Sequence, residues 1–115
     1  MSTDDLQKTV YDALVAAPGL SDVGITKYYA DYNGIYPFLV YKEISNVPAL
    51  HADNVEVAAR VTYQISIVTA DDEYTAIENE VKKVMSDLGF LRVDSTEIKE
   101  DNDYIRVLRF CVAQV

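Results

Sequence analysis

The stretch Val55-Glu56-Val57-Ala58-Ala59-Arg60-Val61-Thr62-Tyr63-Gln64-Ile65-Ser66-Ile67-Val68 decides the fold. Every odd position from Val55 to Ile67 is apolar, and the even positions hold Glu56, Ala58, Arg60, Thr62, Gln64 and Ser66. Strand side chains alternate between the two faces of a sheet, so the pattern predicts a long strand with one buried and one wet face. A one-residue slip would bury Glu56, Arg60 and Gln64, which pins the register. On this reading Ile65→Asp breaks the core, while Ser66→Asp is tolerated unless the even face is covered too.

Upstream, Asn46 to Asn54 contains Pro48, His51, Asp53 and Asn54 and reads as a mobile loop. It is longer than a tight hairpin needs, and long loops in small domains often carry function. Phe38 to Ser45 reads as the strand before it, with Pro37 at its start because proline cannot donate to a ladder. Ile25 to Ala30 is a shorter strand, followed by a turn at Asp31-Tyr32-Asn33-Gly34, where Asn-Gly supplies positive φ. Nearer the N-terminus, Leu6, Val10, Ala13, Leu14 and Ala17 recur at helical spacing. Ser2 or Thr3 is placed to cap that helix, Asp4 and Asp5 face the positive end of its dipole, and Pro18-Gly19 ends it.

Downstream, Asp71 or Asp72 is the expected N-cap of a second helix. Its apolar stripe is Tyr74, Ile77, Val81, Val84, Met85 and Leu88, Glu78 can pair with Lys82 at i,i+4, and Gly89 caps the C-terminus. Phe90 to Val93 begins a short strand, and Ser95 to Asp103 reads as an acidic turn or hairpin tip. The closing strand from Tyr104 puts Ile105 and Val107 on one face but Leu108, Phe110 and Val112 on the other. Either a bulge shifts its register, or both faces are covered, one of them by another subunit. The order α-β-β-β-α-β-β implies a single α+β domain over residues 1–115. The expected sheet is antiparallel or mixed, with four to five strands and both helices packed mainly on one face.

The formal net charge of -9 over 115 residues argues against a dedicated phosphate-backbone binder. With one cysteine, Cys111, the chain can form no internal disulfide, which suits a reducing compartment or a virion component made in the cytosol. The acidic start Met1-Ser2-Thr3-Asp4-Asp5 lacks the pattern of a signal peptide, and no apolar run is long enough to span a bilayer. The expectation is a soluble protein with no membrane contact.

No constellation for catalysis or cofactor binding is visible. His51 is the only histidine and has no nucleophile beside it in sequence. Cys111 sits among apolar residues and reads as a small hydrophobe. Asp71-Asp72-Glu73 and Asp101-Asn102-Asp103 lack the ligand spacing of calcium loops. There is no phosphate loop, C-x-x-C pair or G-x-S-x-G elbow. The expectation is a non-enzymatic protein without cofactor or metal. Tyrosine stands out, with Tyr28, Tyr29, Tyr32 and Tyr36 inside one short window. Such a cluster either half-buries its rings in a strand–turn–strand or forms a protein contact patch. Val47, Leu50 and His51 of the expected loop, and Arg60 of the strand, are further candidate contacts.

Three features resemble the small tail-completion proteins of long-tailed bacteriophages, also called tail terminators or tail-to-head joining proteins. They are Tyr36-Pro37-Phe38-Leu39-Val40-Tyr41 leading into Lys42-Glu43-Ile44-Ser45; the alternating strand Val55–Val68 with the helix from Tyr74 to Leu88 after it; and the closing Tyr104-Ile105-Arg106-Val107-Leu108-Arg109-Phe110. The resemblance implies a structural virion protein, made in the bacterial host cytoplasm, that ends tail-tube growth at the head–tail junction. It implies a homo-oligomeric ring, commonly a hexamer, that meets the tail-tube protein and the head connector while DNA passes without specific binding. Glu97, Glu100, Asp101 and Asp103 are candidates to face that channel; solvated outer surface is their simpler reading. The alternatives are a head–tail connector or minor capsid protein of the same assembly, or a cytosolic non-enzymatic binding domain.

Overall fold

The computed structural model describes residues 3–26, 37–52, 55–70, 74–100 and 103–114, with backbone only for 3–5, 46–52, 55–58, 100 and 114. Helix α1 (Thr3–Ala16) and a 3-10 turn (Pro18–Leu20) lead into β1 (Gly24–Thr26), β2 (Phe38–Ala52) and β3 (Val55–Thr69). Helix α2 (Thr75–Asp87), β4 (Leu91–Glu100) and β5 (Asp103–Gln114) complete the chain. The fold is α+β, in the order α-β-β-β-α-β-β.

The five strands form one mixed sheet in the order β1-β2-β3-β5-β4. β1 runs parallel to β2, and the remaining pairs are antiparallel. The odd positions of β3 are the spine of the core: Val61, Tyr63, Ile65 and Ile67 are all fully buried. Leu39 and Tyr41 of β2 and Leu108 and Phe110 of β5 flank them on the same face. Leu6, Val10 and Leu14 of α1 and Val81, Val84 and Met85 of α2 close over this face, so both helices share it. Helical spacing put these apolar residues on one stripe, and burying that stripe is what holds each helix down.

Helix α2 ends in a Schellman motif. Gly89 adopts φ 91°, its amide donates to the Ser86 carbonyl at 2.9 Å, and the Phe90 amide donates to that of Met85 at 2.9 Å. Only glycine takes that backbone without penalty, and Phe90 then re-enters the core beside Met85. The start of the helix departs from expectation. Its N-cap position is Tyr74, which makes no side-chain cap, and not Asp71 or Asp72, which lie outside the described residues. Tertiary contact fixes this end instead: the Arg106 guanidinium lies 5.8 Å from the centre of the Tyr74 ring.

Three further expectations are corrected. The expected loop Asn46–Asn54 is strand over its described part: β2 continues through Ala52 and pairs with β3 as far as Ala52↔Val55, while Asp53 and Asn54 lie outside the described residues. Pro48 and the polar residues are accommodated by irregular register between Glu43 and Ser45, between Pro48 and Leu50, and between Leu50 and His51. Ser95–Asp103 is mostly strand, since β4 runs to Glu100 and pairs Glu100 with Asp103. As an edge strand it buries little, so polar residues suit it and no apolar alternation marks it. Finally, the even face of β3 is not wet along its whole length. Ser66 and Val68 are 2% and 1% exposed, beside Phe38, Val40, Ile105 and Val107 in a second apolar cluster on the side away from the helices.

That cluster resolves the two-faced closing strand. The β3–β5 ladder runs from Ala59↔Gln114 to Thr69↔Tyr104 without a shift. Both faces of β5 are buried along part of it, and the bulge falls in β4, between Arg92 and Asp94.

Candidate functional site

Among the described residues, β1 pairs with the outer side of β2 from Phe38 to Val40, and β4 forms the opposite edge and pairs with β5. Exposed apolar side chains collect on these flanks. Leu91 (72% exposed), Val93 (56%) and Ile98 belong to β4, Ile44 to β2, and Tyr11 and Val15 to α1, whose Tyr11 ring lies 5.9 Å from that of Tyr41 in β2. An unpaired edge bearing apolar residues is a template for another chain.

Among the described residues, the sheet narrows to two strands beyond Ala59: Val55 to Ala58 pair with β2 and have no described partner in β5, so the far end of the β2–β3 hairpin is an arm projecting past the sheet. Four residues at strand rise make it about 13 Å long. The molecule is correspondingly elongated, 52 × 26 × 24 Å. Val47, Leu50 and His51 are strand positions on or near this arm, opposite Arg60, Ala58 and Glu56. Arg60 is exposed on the face away from the helices, at the arm's root.

Arg60 also borders an open concavity of about 630 Å³ lined by Leu91, Val93, Cys111 and Ala113. Cys111 is half-buried there, opposite Thr62 and Leu91 in the ladders. Sequence reasoning missed this hollow. Its only local signal is Leu91 and Val93 standing between Arg92, Asp94 and the glycine turn.

The sequence candidates for a channel lining separate. Glu97 is exposed on β4, opposite Arg106 on the helix side of the sheet. It accepts a hydrogen bond from Tyr74, and burial first, then this carboxylate, raises the Tyr74 phenol above its ordinary value. Glu100 and Asp103 pair at the end of the β4–β5 hairpin, while Asp101 lies outside the described residues. Tyr28, Tyr29, Tyr32 and Tyr36 also lie outside them.

A buried charge cluster fastens α2 to the sheet. Glu78, 8% exposed, accepts hydrogen bonds from Arg106 Nε and from Lys82 Nζ at 3.3 Å, and Arg106 Nη2 donates to Ser95 Oγ at 3.1 Å. Burial alone would raise the Glu78 carboxyl, but the hydrogen bonds and charges of Arg106 and Lys82 outweigh it and hold it below its ordinary value. The expected Glu78–Lys82 pair is present; the Arg106 partner, distant in sequence, was not foreseen. On the opposite face Arg109 Nη1 donates to Asp94 Oδ2 at 3.1 Å. These pairs tie elements together and present no nucleophile or base to a cleft.

Tyr63 and Glu43 face each other across β2 and β3. Tyr63 Oη and Glu43 Oε1 are buried with no hydrogen-bond partner among the described residues. Burial, then the charges of Glu43 and Tyr41, push the Tyr63 phenol up to about 12. Its ring stacks on Phe90 at 5.7 Å, which marks a packing role.

Among the described residues no cluster of His, Cys, Asp and Glu is arranged to hold a metal, and no helix is long and apolar enough to cross a membrane. Neither the protein-family models nor the curated proteins compared with the chain give a match.

Proposed function

We propose that this chain is a non-enzymatic structural protein of a long-tailed bacteriophage virion, which ends tail-tube growth and forms the head–tail joining interface as a ring. The observation that carries the reading is the pair of sheet flanks, each with exposed apolar side chains, on opposite sides of one small domain. Two different surfaces that fit one another associate head to tail, and head-to-tail contacts close into rings when the rotation per subunit allows it. The resemblance of Tyr36–Ser45, Val55–Val68 and Tyr104–Phe110 to tail-completion proteins selects the head–tail junction among ring-shaped roles. A net charge of -9 suits a bore through which DNA slides, because acidic side chains repel phosphate. Glu100 and Asp103 at one hairpin end are the described residues best grouped for such a lining.

Light scattering across a concentration range, with and without tail tubes, tests the assembly; a strict monomer in both settings sinks the reading. Electron micrographs of particles lacking the protein test the role. Overlong tubes are expected of a missing terminator. Tailless heads beside separate tails of normal length would instead point to a joining role without tube termination.

A further inference from the structure

We propose that the β2–β3 arm of one copy docks in the concavity beside the arm root of the next, with Leu91 and Val93 as the anchoring contacts. The inference rests on the ring reading and specifies its interface. The hollow is apolar at Leu91, Val93, Cys111 and Ala113, and its first two residues are among the most exposed large hydrophobics described. The arm is the complementary object. Its backbone is a two-stranded ribbon, a form that is marginally stable alone in water and gains by being covered. Its sequence from Ala49 to Ala58 is mostly apolar, carries Asp53 and Glu56, and contains no lysine or arginine. The charged residue lining the hollow is Arg60, of the opposite sign.

A chain cannot satisfy its own hollow with its own arm. The arm continues β3 outward from Arg60, away from the site, and the ladder holds that direction. A second copy supplies the missing occupant: its arm fills the hollow of the first, and its own hollow receives the arm of a third. That repeat is heterologous, and it closes into a ring when the rotation per subunit allows it.

The native Cys111 makes the contact testable in the full chain. His51→Cys places a thiol on the arm, opposite Glu56 in the ladder, while Cys111 lies opposite Thr62. Six residues of strand separate those positions, about 20 Å. A disulfide within one chain is therefore excluded, since bridged Cα atoms lie within about 7 Å. Mild oxidation of the variant should give a ladder of covalent multimers on a non-reducing gel that collapses with reductant and vanishes in His51→Cys/Cys111→Ser. Leu91→Asp should weaken association by about tenfold or more, as expected of an interface anchor, and leave the melting of the monomer unchanged because the residue is exposed. Multimers detected by light scattering without the ladder, and insensitive to Leu91→Asp, would overturn the docking while leaving the ring reading intact. Dimers joined through Cys111 of both copies would overturn it in favour of a two-fold contact between hollows. Absence of any multimer, alone or with tail tubes, would remove the ring reading and the docking together.

Discussion

The two ends of β3 live in different environments. From Ile65 to Thr69 the strand is buried on both faces, between the helices and the second apolar cluster, with β2 and β5 on either side. From Val55 to Ala58 it has β2 alone and projects beyond the sheet. The first end is held by the monomer's own packing. The second has no such support among the described residues, which is why we assign its cover to a neighbouring copy. On that assignment one continuous strand is core at one end and contact element at the other, with the change falling near Arg60.

Substitutions at the buried end should expose this contrast, starting with Ile65→Asp. It places an unpaired charge in a fully buried position and should cost more than about 4 kcal/mol, read as loss of a cooperative urea transition. Ser66→Asp comes next. Sequence alternation alone predicts tolerance, but Ser66 sits between Val40 and Val107 at 2% exposure. A cost of about 3 kcal/mol in the same measurement is expected. Wild-type stability for Ser66→Asp would show that the second cluster does not close over β3.

Glu78→Gln loosens α2 from the sheet beside the same end, because Arg106 lies opposite Ile67. The expected loss at neutral pH is about 1–3 kcal/mol. Since the folded-state value of Glu78 is depressed, its contribution is complete above the ordinary value of 4.5 and disappears as pH falls through the lowered one. The variant should therefore show a flatter acid limb of stability, and an unchanged limb would mean that the pair contributes little. Tyr63→Phe should have the smallest effect, within about 1 kcal/mol at neutral pH, because it removes a buried hydroxyl that has no partner among the described residues. Here the folded value is raised, so stability present below 10.0 is lost as pH climbs through about 12. Thermal melts in alkaline buffer should show the phenylalanine variant holding to higher pH than the parent.

Much of this architecture can be read from local pattern. The alternation of β3, the apolar stripes of both helices and Gly89 mark elements whose burial is one-sided, and there periodicity and environment agree. Legibility fails where the partner is distant in sequence. Val68 is an apolar residue at an even position whose cover comes from Phe38 and Ile105. Pro48 and His51 look like turn residues, yet pairing with β3 keeps them in a strand. Thr96 to Lys99 are exposed on an edge and hold one apolar residue, Ile98, too few for an alternation. Of the candidate site, the sequence names Arg60 on the strand and Val47, Leu50 and His51 opposite it and beyond. The hollow is not legible there, because it forms only when Leu91, Cys111 and Arg60 are brought together from three strands.

The placement of β5 between β3 and β4 has a kinetic consequence. Each of the two hairpins, β2–β3 and β4–β5, joins neighbours in sequence and can form by itself. The seam between them joins positions at least as remote as Thr69 and Tyr104, 35 residues apart, with helix α2 in the intervening chain. Closing that segment costs entropy before its contacts repay it. The seam should therefore be rate-limiting: Leu108→Ala should slow refolding in stopped-flow experiments, while Ile98→Ala in the outer hairpin should chiefly hasten unfolding. Until the seam closes, the apolar residues of both hairpins stand open to solvent and to each other's copies.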